Sequence, residues 1–521
     1  DSVRLWDWRP LKQTYKQLQE LKQYYYFNDV DVDRYTLDGK KIAVNLSARE
    51  LTLENLGANS QTWQNRHLIY THGYGLVMSR VDRITSEGLP VFIIKDIPPI
   101  AEHGLKVDRP QVYYGEHDNS YVITNTSIKP GEFDYPSGDE NKYTTYGGTG
   151  GLKLDTFFKR LMASLAFGDM NLLISGNISS ESRLLFRRNI IEIARNYAPF
   201  VDLDNDPYLV LSQGRLYWMI DGYTTSDQFP YSTPVNTGEK RINYIRNSVK
   251  MTIDAYNGTI SCYISDPGDP VIQVYNRIFP GILKDIKDMP ADLQKHIRYP
   301  EDIFNIQCHM LLRYHMTNPN VFYNSEDAWQ IPSQVFGDRE EPIHSYYLVS
   351  RLPGEKESGF MLIMPFSPVT KMTMIAFMTA KCEPEEYGRL QLFLLPKDKL
   401  SYGPMQIESR INTDPEISKQ LTLWNQKGSS VIRGNMLIIP IEESLLYIEP
   451  LYLKAETTEM PELKRVIISF SDQIVMESDL QASIQKLFYG ASFTDTAPGS
   501  ESSTLKELSE RAYFHYMRAE Q

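Results

Sequence analysis

No run of apolar residues in this 521-residue chain approaches the roughly 18 residues that a membrane-spanning helix needs. The longest candidates are short, and one of them, Phe360–Phe366, contains Pro365. Short apolar runs of this kind are typical of buried strands. The apolar side chains are therefore predicted to fill the core of a water-soluble body built from short elements.

Helical and strand periodicities alternate along the chain, which predicts the α+β class, with mostly antiparallel strands and hairpins and several amphipathic helices. Apolar residues at helical spacing predict a first helix over Arg4–Tyr26. Further helices are predicted at Leu154–Phe167, Glu181–Tyr197, Pro290–Ile297 and Pro300–Met316. Strands are predicted at Val91–Ile94, within Tyr346–Pro396 and Ser430–Leu453, and at Val466–Phe470, and a surface loop is predicted at Asp134–Gly151.

Two hairpins have clear turn signals. Asn257-Gly258 suits a two-residue type I′ turn, and this loop would place Ile253 opposite Cys262 and Met251 opposite Ile264. A second hairpin is predicted over Tyr208–Asp221, with its turn at Gln213-Gly214.

The length predicts about three structural units. We predict an N-terminal α/β region with long loops at residues 1–150, helices flanking a β-hairpin region at 151–340 and a β-rich region at 341–485. Residues 486–521 are predicted to form a linker and a C-terminal helix. The apolar stripe of that helix would suit a neighbouring copy or its own chain equally well, so the oligomeric state is left open.

The formal net charge of −12 argues against nucleic-acid partners, because non-specific binding depends on many basic side chains that neutralise phosphates. It also disfavours a chain that lies flat on an anionic lipid surface. The three cysteines, Cys262, Cys308 and Cys382, are widely spaced, so they predict neither a disulfide framework nor a CxxC metal site.

Standard catalytic motifs are missing from the sequence: there is no GxSxG, HExxH or Walker GxxxxGK[ST] pattern. Ser483–Lys486 fits SxxK but lacks its companion motifs. Gly147–Gly151 precedes a predicted helix, where free N–H groups can hold an anion, yet a flexible loop is the simpler interpretation. No catalytic residue is assigned, and dispersed triads escape this kind of search.

Two aspartate clusters are the best candidates for a site. Each places three carboxylates at alternate positions: Asp29, Asp31 and Asp33 in the first, and Asp202, Asp204 and Asp206 in the second. In a curled loop such carboxylates can converge on one cation, and calcium accepts six to eight oxygen ligands in loose geometry. The alternative is that these aspartates cap turns or pair with basic neighbours such as Arg34.

Twelve segments in a fixed order resemble the bacterial uncharacterised protein family 0182, from about residue 4 to about residue 480. They are RLWDW at 4–8, YYYFNDVDVDRY at 24–35, LSARE at 46–50, NRHLIYTHGYG at 65–75, EFDYP at 132–136, DPYLV at 206–210, NYIRNSVK at 243–250, DAYNGT at 254–259, RYPEDIF at 298–304, GPMQIESRIN at 403–412, LWNQKGS at 423–429 and EPLYL at 449–453. Members of that family are described as multi-pass membrane proteins with a large soluble region. The resemblance implies that this chain is that region only, and it carries over no activity and no functional residue.

The combined expectation is the extracytoplasmic, soluble region of a bacterial integral membrane protein at the cell membrane. It would act as a non-enzymatic binding or assembly platform of the cell envelope, stabilised by calcium. Its expected partners are its own membrane-spanning region and other envelope proteins. Two alternatives stay open: an envelope hydrolase or transferase, and an accessory domain of a transporter.

Overall fold

Antiparallel pairing dominates the strands of the computed structural model, which describes residues 2–489 except 118–119, 139, 239, 397, 427, 442–443 and 458–459. Helices and many antiparallel sheets together confirm the predicted α+β class. The helices are α1 Trp8–Gln19, α2 Phe157–Phe167, α3 Asn171–Ile174, α4 Ile190–Tyr197, α5 Pro270–Ile278, α6 Ala291–Gln294, α7 Glu301–Tyr314, α8 Pro319–Asn324, α9 Pro404–Thr413, α10 Pro415–Trp424 and α11 Leu480–Tyr489. A π-helical turn spans Asn65–Ile69, and short 3-10 turns span Ala58–Ser60 and Ile286–Asp288.

The described strands range from two to twelve residues in length. The first seventeen are β1 Tyr25–Tyr26, β2 Asp31–Leu37, β3 Lys40–Ala48, β4 Glu50–Leu51, β5 Gly73–Tyr74, β6 Leu76–Ile84, β7 Pro90–Lys95, β8 Ile100–Ala101, β9 Gln111–Val112, β10 Val122–Thr124, β11 Glu132–Ser137, β12 Glu140–Thr144, β13 Leu152–Lys153, β14 Arg183–Leu185, β15 Asp202–Leu203, β16 Tyr208–Ser212 and β17 Arg215–Ser226. They continue as β18 Val235–Asn236, β19 Arg241–Ile242, β20 Tyr244–Asp254, β21 Ile260–Ile264, β22 Leu283–Asp285, β23 Trp329–Gln330, β24 Ser333–Phe336, β25 Arg339–Pro342, β26 Tyr346–Ser350, β27 Gly359–Pro368, β28 Ala376–Lys381, β29 Leu390–Leu394, β30 Ser429–Arg433, β31 Leu437–Ile441, β32 Ser444–Ala455, β33 Pro461–Phe470 and β34 Gln473–Glu477.

Four sheets and the helices on them build three large cores. One core lies between the sheet β2-β3-β6-β7-β8 and the sheet that contains β15, β16, β17, β20, β21 and β22, together with α4 and α5. A second core joins α7 to the β26–β29 sheet. The third packs the N-terminal segment against the β30–β34 sheet, where the rings of Trp6 and Tyr452 lie 5.3 Å apart. These three cores meet at a junction around the start of β2, and the candidate site lies at this junction.

Helix α1 is shorter than predicted. Asp7 caps its first turn by accepting a hydrogen bond from the Arg9 N–H at 2.9 Å, and the helix ends at Gln19 because Leu21 adopts a positive φ of 61°. The predicted apolar stripe is correct at Leu11 and Tyr15, which are fully buried. The prediction of helix up to Tyr26 was wrong, since Tyr25 begins a strand.

Two further secondary-structure predictions were wrong, because the segments pair with other strands. Arg183–Leu185 is a strand between β10 and β13, so α4 begins only at Ile190 behind its cap, Asn189. The expected loop at Asp134–Gly151 contains most of the β11–β12 hairpin. Both segments are polar or short, and their strand character comes from partners distant in the sequence.

The hairpin at Gln213-Gly214 is confirmed, with Ser212 opposite Arg215. The hairpin at Asn257-Gly258 exists, but its register was wrong, because Ile253 faces Ile260 and Met251 faces Cys262. The loop is longer than two residues, since the backbone N–H of Asp254 donates to the Thr259 carbonyl at 3.1 Å. No helix in the described residues is long and apolar enough to cross a membrane, and α7, the longest, has 14 residues.

Candidate metal centre

Three aspartates from the two predicted clusters come together at the start of β2. One carboxylate oxygen each from Asp29, Asp31 and Asp206 lies within 4.8 Å of the other two. Asp29 and Asp31 belong to the first cluster, and Asp206 precedes β16 in the second. The site is therefore assembled from parts of both clusters, and Asp206 follows Asp31 by 175 residues in the sequence.

Backbone pairing holds the aspartates in place. Asp31 opens β2 opposite Leu46 of β3, and its Oδ2 accepts the Leu209 N–H at 2.9 Å. This hydrogen bond fastens the start of β2 to β16. The peptide oxygen of Asp29 accepts a hydrogen bond from the Ser47 hydroxyl, which fixes the residue just before the strand.

Arg298 links the second aspartate cluster to the strand that contains the first through hydrogen bonds. Its guanidinium donates to the Asp206 carboxylate at 2.8 Å and to the Val32 carbonyl at 2.9 Å. The same group lies 3.8 Å above the ring of Tyr208, so the buried cation is held by both charge and stacking. Arg298 thus positions Asp206 against β2.

The second oxygen of Asp31 is the feature that most clearly points to a ligand. Asp31 is 3% exposed, and its Oδ1 is buried without a hydrogen-bond partner in the described part of the chain. A buried, unpartnered carboxylate oxygen is costly, because native proteins pair nearly all buried polar atoms. A cation between Asp29, Asp31 and Asp206 would supply the missing partner.

Three carboxyl groups, those of Asp29, Asp31 and Glu301, lie in conditions that oppose ionisation. Burial, and then the charge of Asp206, raises the pKa of Asp29 to about 7. Burial and the neighbouring Asp29 raise the pKa of Asp31 well above its ordinary value. Burial and Asp206 also raise the pKa of Glu301, in the first turn of α7, to about 7. Without a counter-ion these groups hold protons near neutral pH, whereas a bound cation favours their charged forms.

A cavity of about 440 Å³ adjoins the three aspartates. Its wall includes Arg4, Glu301 and the exposed His344. The space offers room for water molecules to complete the coordination of a large cation such as calcium.

The other three predicted ligands are engaged elsewhere. Asp33 accepts from the Arg34 N–H at 2.7 Å and lies 2.6 Å from Nδ1 of His296. The carboxylate of Asp202 accepts from Thr225 at 2.5 Å and pairs with Lys240. The carboxylate of Asp204 is bonded to the Tyr223 hydroxyl and accepts the Asp206 N–H at 2.9 Å. Each carboxylate has partners in the chain, as the alternative interpretation expects.

Neither weak motif provides a catalytic group. Ser483 is fully buried and donates to the Val466 carbonyl at 2.7 Å, so its hydroxyl is not available as a nucleophile. In the glycine run, the N–H groups of Thr149 and Gly150 donate to Asn257 and Tyr146 at 3.1 and 3.0 Å. These donors serve the fold, in agreement with the loop interpretation.

The sequence did not single out Arg298 or Glu301 as site residues. They occur in RYPEDIF, a segment without any ligand spacing, and they reach the aspartates only through the placement of α7. The alternation of aspartates was a usable signal for Asp29, Asp31 and Asp206.

Comparison with known proteins agrees with the resemblance found in the sequence. The model of the Uncharacterised protein family (UPF0182) matches residues 1–424. The chain is 51% identical to a UPF0182 protein of Desulforamulus reducens, over 94% of this chain and 52% of that protein. The corresponding values are 51%, 94% and 55% for Methanospirillum hungatei, and 50%, 98% and 54% for Bradyrhizobium diazoefficiens.

The chain spans about half the length of the curated relatives it matches. No solved structure matches it. Because the family model covers well over half of the residues, the chain belongs to the uncharacterised protein family UPF0182.

Proposed function

We propose that this chain is a binding or assembly platform of the cell envelope whose central junction is stabilised by a calcium ion at Asp29, Asp31 and Asp206. We further propose that it forms the extracytoplasmic region of an integral membrane protein. The lengths of its relatives, about twice the matched region, leave room for such a remainder.

The buried, unpartnered Oδ1 of Asp31 is the observation that carries the cation site. The two neighbouring carboxylates, within 4.8 Å, make that position strongly favourable for positive charge. Arg298 supplies one positive charge near the three carboxylates, which leaves two negative charges uncompensated when all three are ionised.

The ligand chemistry favours calcium over other common cations. All three groups are carboxylates, the hard oxygen donors that calcium and magnesium prefer, and no histidine or cysteine belongs to the trio. Calcium tolerates irregular geometry and water ligands, whereas magnesium demands near-ideal octahedral geometry. A trio drawn from a strand start and a loop suits the more tolerant ion.

A structural role follows from where the site lies. Its ligands come from both sides of the contact between β2 and β16, and Arg298 links the same point to the segment that precedes α7. An ion bound there would join these elements in the native state only, so it would stabilise the fold through binding.

Thermal unfolding in millimolar calcium, in magnesium and in EDTA tests the site. Binding to the native state at 100 times the dissociation constant adds about 2.7 kcal/mol, which is about 3 °C for a cooperative unit of this size. The shift should be specific to calcium and absent from D29N/D31N/D206N. The matched control is D202N, which changes an aspartate of the second cluster that does not belong to the trio. This variant should keep the full calcium-dependent shift. Superimposed wild-type curves would refute the cation site.

Location is tested separately on a full-length relative. Protease added to intact spheroplasts should cleave within the matched region. Cleavage that requires lysis of the cells would contradict the extracytoplasmic placement.

A second candidate function is hydrolysis or group transfer by the same carboxylates. It is favoured by the raised pKa values of Asp29 and Glu301, both about 7, in groups that line one cavity. Ester, glycoside and phosphoester probes test this candidate. It would be favoured over the platform if the wild type turns over one of them and E301Q abolishes that turnover without changing the melting temperature.

A further inference from the structure

His296 is held by one nitrogen of its ring, and the other nitrogen has no partner. Its Nδ1 lies 2.6 Å from Oδ2 of Asp33, whose side chain is fully buried. Its Nε2 has no hydrogen-bond partner in the described part of the chain, although the residue is only 5% exposed. His315, in contrast, uses both nitrogens, on the carbonyl oxygens of Leu311 and Asp327 at 2.8 and 2.9 Å. Because buried polar atoms are nearly always paired, the free Nε2 of His296 points to a ligand or substrate.

Asp33 determines which nitrogen of His296 carries the proton. Its Oδ1 accepts the Arg34 N–H at 2.7 Å and lies 3.4 Å from the Arg34 guanidinium. The ionised carboxylate can only accept hydrogen bonds, so the proton between Oδ2 and Nδ1 belongs to the histidine. In the neutral imidazole the free lone pair is then on Nε2, which makes this nitrogen a base.

The orientation of the ring is fixed by its surroundings. His296 follows α6, where its N–H donates to the Leu293 carbonyl at 3.0 Å. Its own carbonyl accepts the Tyr208 hydroxyl at 3.2 Å. The ring of Tyr35 packs against the imidazole, with the two centroids 4.6 Å apart. Such packing and hydrogen bonding hold a functional side chain in one geometry.

His296 lines a cavity of about 480 Å³ that shares no wall residue with the cavity beside the three aspartates. The size is ordinary for a small-molecule site. Nε2 is not fully enclosed, so a molecule in this space can reach it. The described wall contains no serine or cysteine, and His296 belongs to no group of three metal ligands in the described residues. Water is therefore the nucleophile that this base can activate.

The charged side chains of the wall neutralise one another. Lys41 pairs with Glu383 at 2.7 Å, and Lys295 with Asp292 at 3.6 Å. The wall thus has no spare positive charge for a phosphate or carboxylate, and it suits an uncharged polar substrate. Apart from Arg34, which pairs with Asp33, its remaining charged residues have opposite signs, Lys106 and Asp108.

We propose that His296 is the general base of a hydrolytic site that cleaves an uncharged carboxylic ester in this cavity. Nε2 takes a proton from a water molecule, whose oxygen forms a bond to the carbonyl carbon of the ester. The bond from that carbon to the alcohol oxygen breaks, and the protonated Nε2 returns its proton to the leaving oxygen. The products are a carboxylic acid and an alcohol, and no other reactant is consumed. The proposal goes beyond the platform function and does not depend on the cation site.

Hydrolysis of 4-methylumbelliferyl acetate by the purified chain, in the presence of EDTA, tests the proposal. The wild type should turn over this uncharged ester, and its kcat/KM for the anionic 4-methylumbelliferyl phosphate should be at least about tenfold lower. His296→Asn keeps an amide N–H for Asp33 but has no basic nitrogen. It should lower kcat by about 100-fold or more, with the melting temperature unchanged.

Two further variants separate a catalytic role of the ring from a structural one. His296→Ala leaves space for free imidazole, which should restore part of the turnover in a saturable way, above the rate of imidazole without protein. The matched control is His103→Ala, because Nδ1 of His103 also lies 2.6 Å from a carboxylate, that of Asp38. His103 is exposed and does not line the cavity, so its removal should leave turnover unchanged.

Several results would overturn the proposal. They include a wild type without turnover of the ester, and equal turnover of the wild type and H296N. Loss of turnover in H296A that imidazole does not restore would assign His296 a structural role. Faster turnover of the phosphate probe would contradict the substrate class. Turnover that E301Q abolishes and H296N keeps would assign the hydrolysis to the carboxyl groups at the aspartate site.

Discussion

At the scale of single residues, the buried charge of Lys250 is held by partners from three separate segments of the chain. The Lys250 side chain is 1% exposed and forms an ion pair with Asp221 on the neighbouring strand. Its ammonium also donates to the Tyr387 hydroxyl at 2.5 Å and to the Arg298 carbonyl at 3.1 Å. Burial lowers the pKa of Lys250, although Asp221 opposes that effect. This cluster links the β17–β20 pair to Arg298, the residue that positions Asp206.

We predict that Lys250→Met destabilises the chain by about 3–5 kcal/mol, because the Asp221 charge would stay buried without its partner. The double variant K250M/D221N should recover part of that loss, since it removes both charges. Urea unfolding at neutral pH measures both values. The control, Lys142→Met, breaks an exposed pair with Glu140 and should change stability by no more than about 0.5 kcal/mol. A cost below about 1 kcal/mol for K250M would contradict the argument.

The candidate site was predictable from the sequence only in part. Alternating aspartates drew attention to the residues that form it, but spacing alone could not say which of the six converge. Asp33 continues the alternation, yet its carboxylate faces His296, whose position depends on the chain between α6 and α7. Tertiary placement, not local pattern, separates Asp31 from Asp33.

At the scale of elements, turn chemistry predicted the hairpins but not every register. The side chain of Asp254 accepts hydrogen bonds from the N–H groups of Tyr256 and Asn257 at 2.8 and 2.9 Å. These bonds make the loop longer than the two residues Asn257-Gly258. The shift is two residues, so every apolar side chain keeps its face. Alternation therefore fixed the buried face, while a competing side-chain hydrogen bond fixed the register.

Removing that side chain should show its role. We expect Asp254→Ala to lower the free energy of unfolding by about 1–2 kcal/mol, because both loop N–H groups lose their acceptor. Asp254→Asn keeps an acceptor oxygen and loses only the ion pair with the partly exposed Arg215. Its cost should be less than half as large in the same urea titration. Equal costs for the two variants would assign the effect to the ion pair.

At the scale of the whole molecule, the α+β class could be predicted because periodicity and turn signals are local properties of the sequence. The junction could not, since it depends on contacts between segments hundreds of residues apart. The N-terminal segment lies in the core of the C-terminal sheet, where the Tyr452 hydroxyl donates to the Leu5 carbonyl and accepts the Asp7 N–H. The linker and C-terminal helix predicted at 486–521 lie outside the described residues from 490 onward, and the residue ranges of the three larger units stay a prediction.

The aspartates at the junction predict how the stability of the chain depends on pH. In the folded chain the pKa of Asp29 is about 7 and that of Asp31 is raised, whereas an unfolded aspartate titrates near 4. Between about pH 4 and 7 the folded state therefore holds protons that the unfolded state has released, so the site loses stability as the pH rises. Bound calcium would remove this trend, because the carboxylates are then ionised in the folded state as they are in the unfolded state.

The contribution of these carboxyl groups is measured by comparing the wild type with D29N/D31N/D206N. The difference includes Glu116 and Glu301, because their pKa values are raised by burial and then by Asp29, Asp31 and Asp206. In EDTA the wild-type melting temperature, relative to the variant, should fall from pH 5 to pH 8. In saturating calcium it should stay nearly constant over the same interval, because neither state then binds protons at Asp29 and Asp31, so that the two curves diverge most at pH 8 and converge toward pH 5. Parallel curves with and without calcium would mean that Asp29 and Asp31 are linked to protons alone, and the junction would then be a titrating site without a cation.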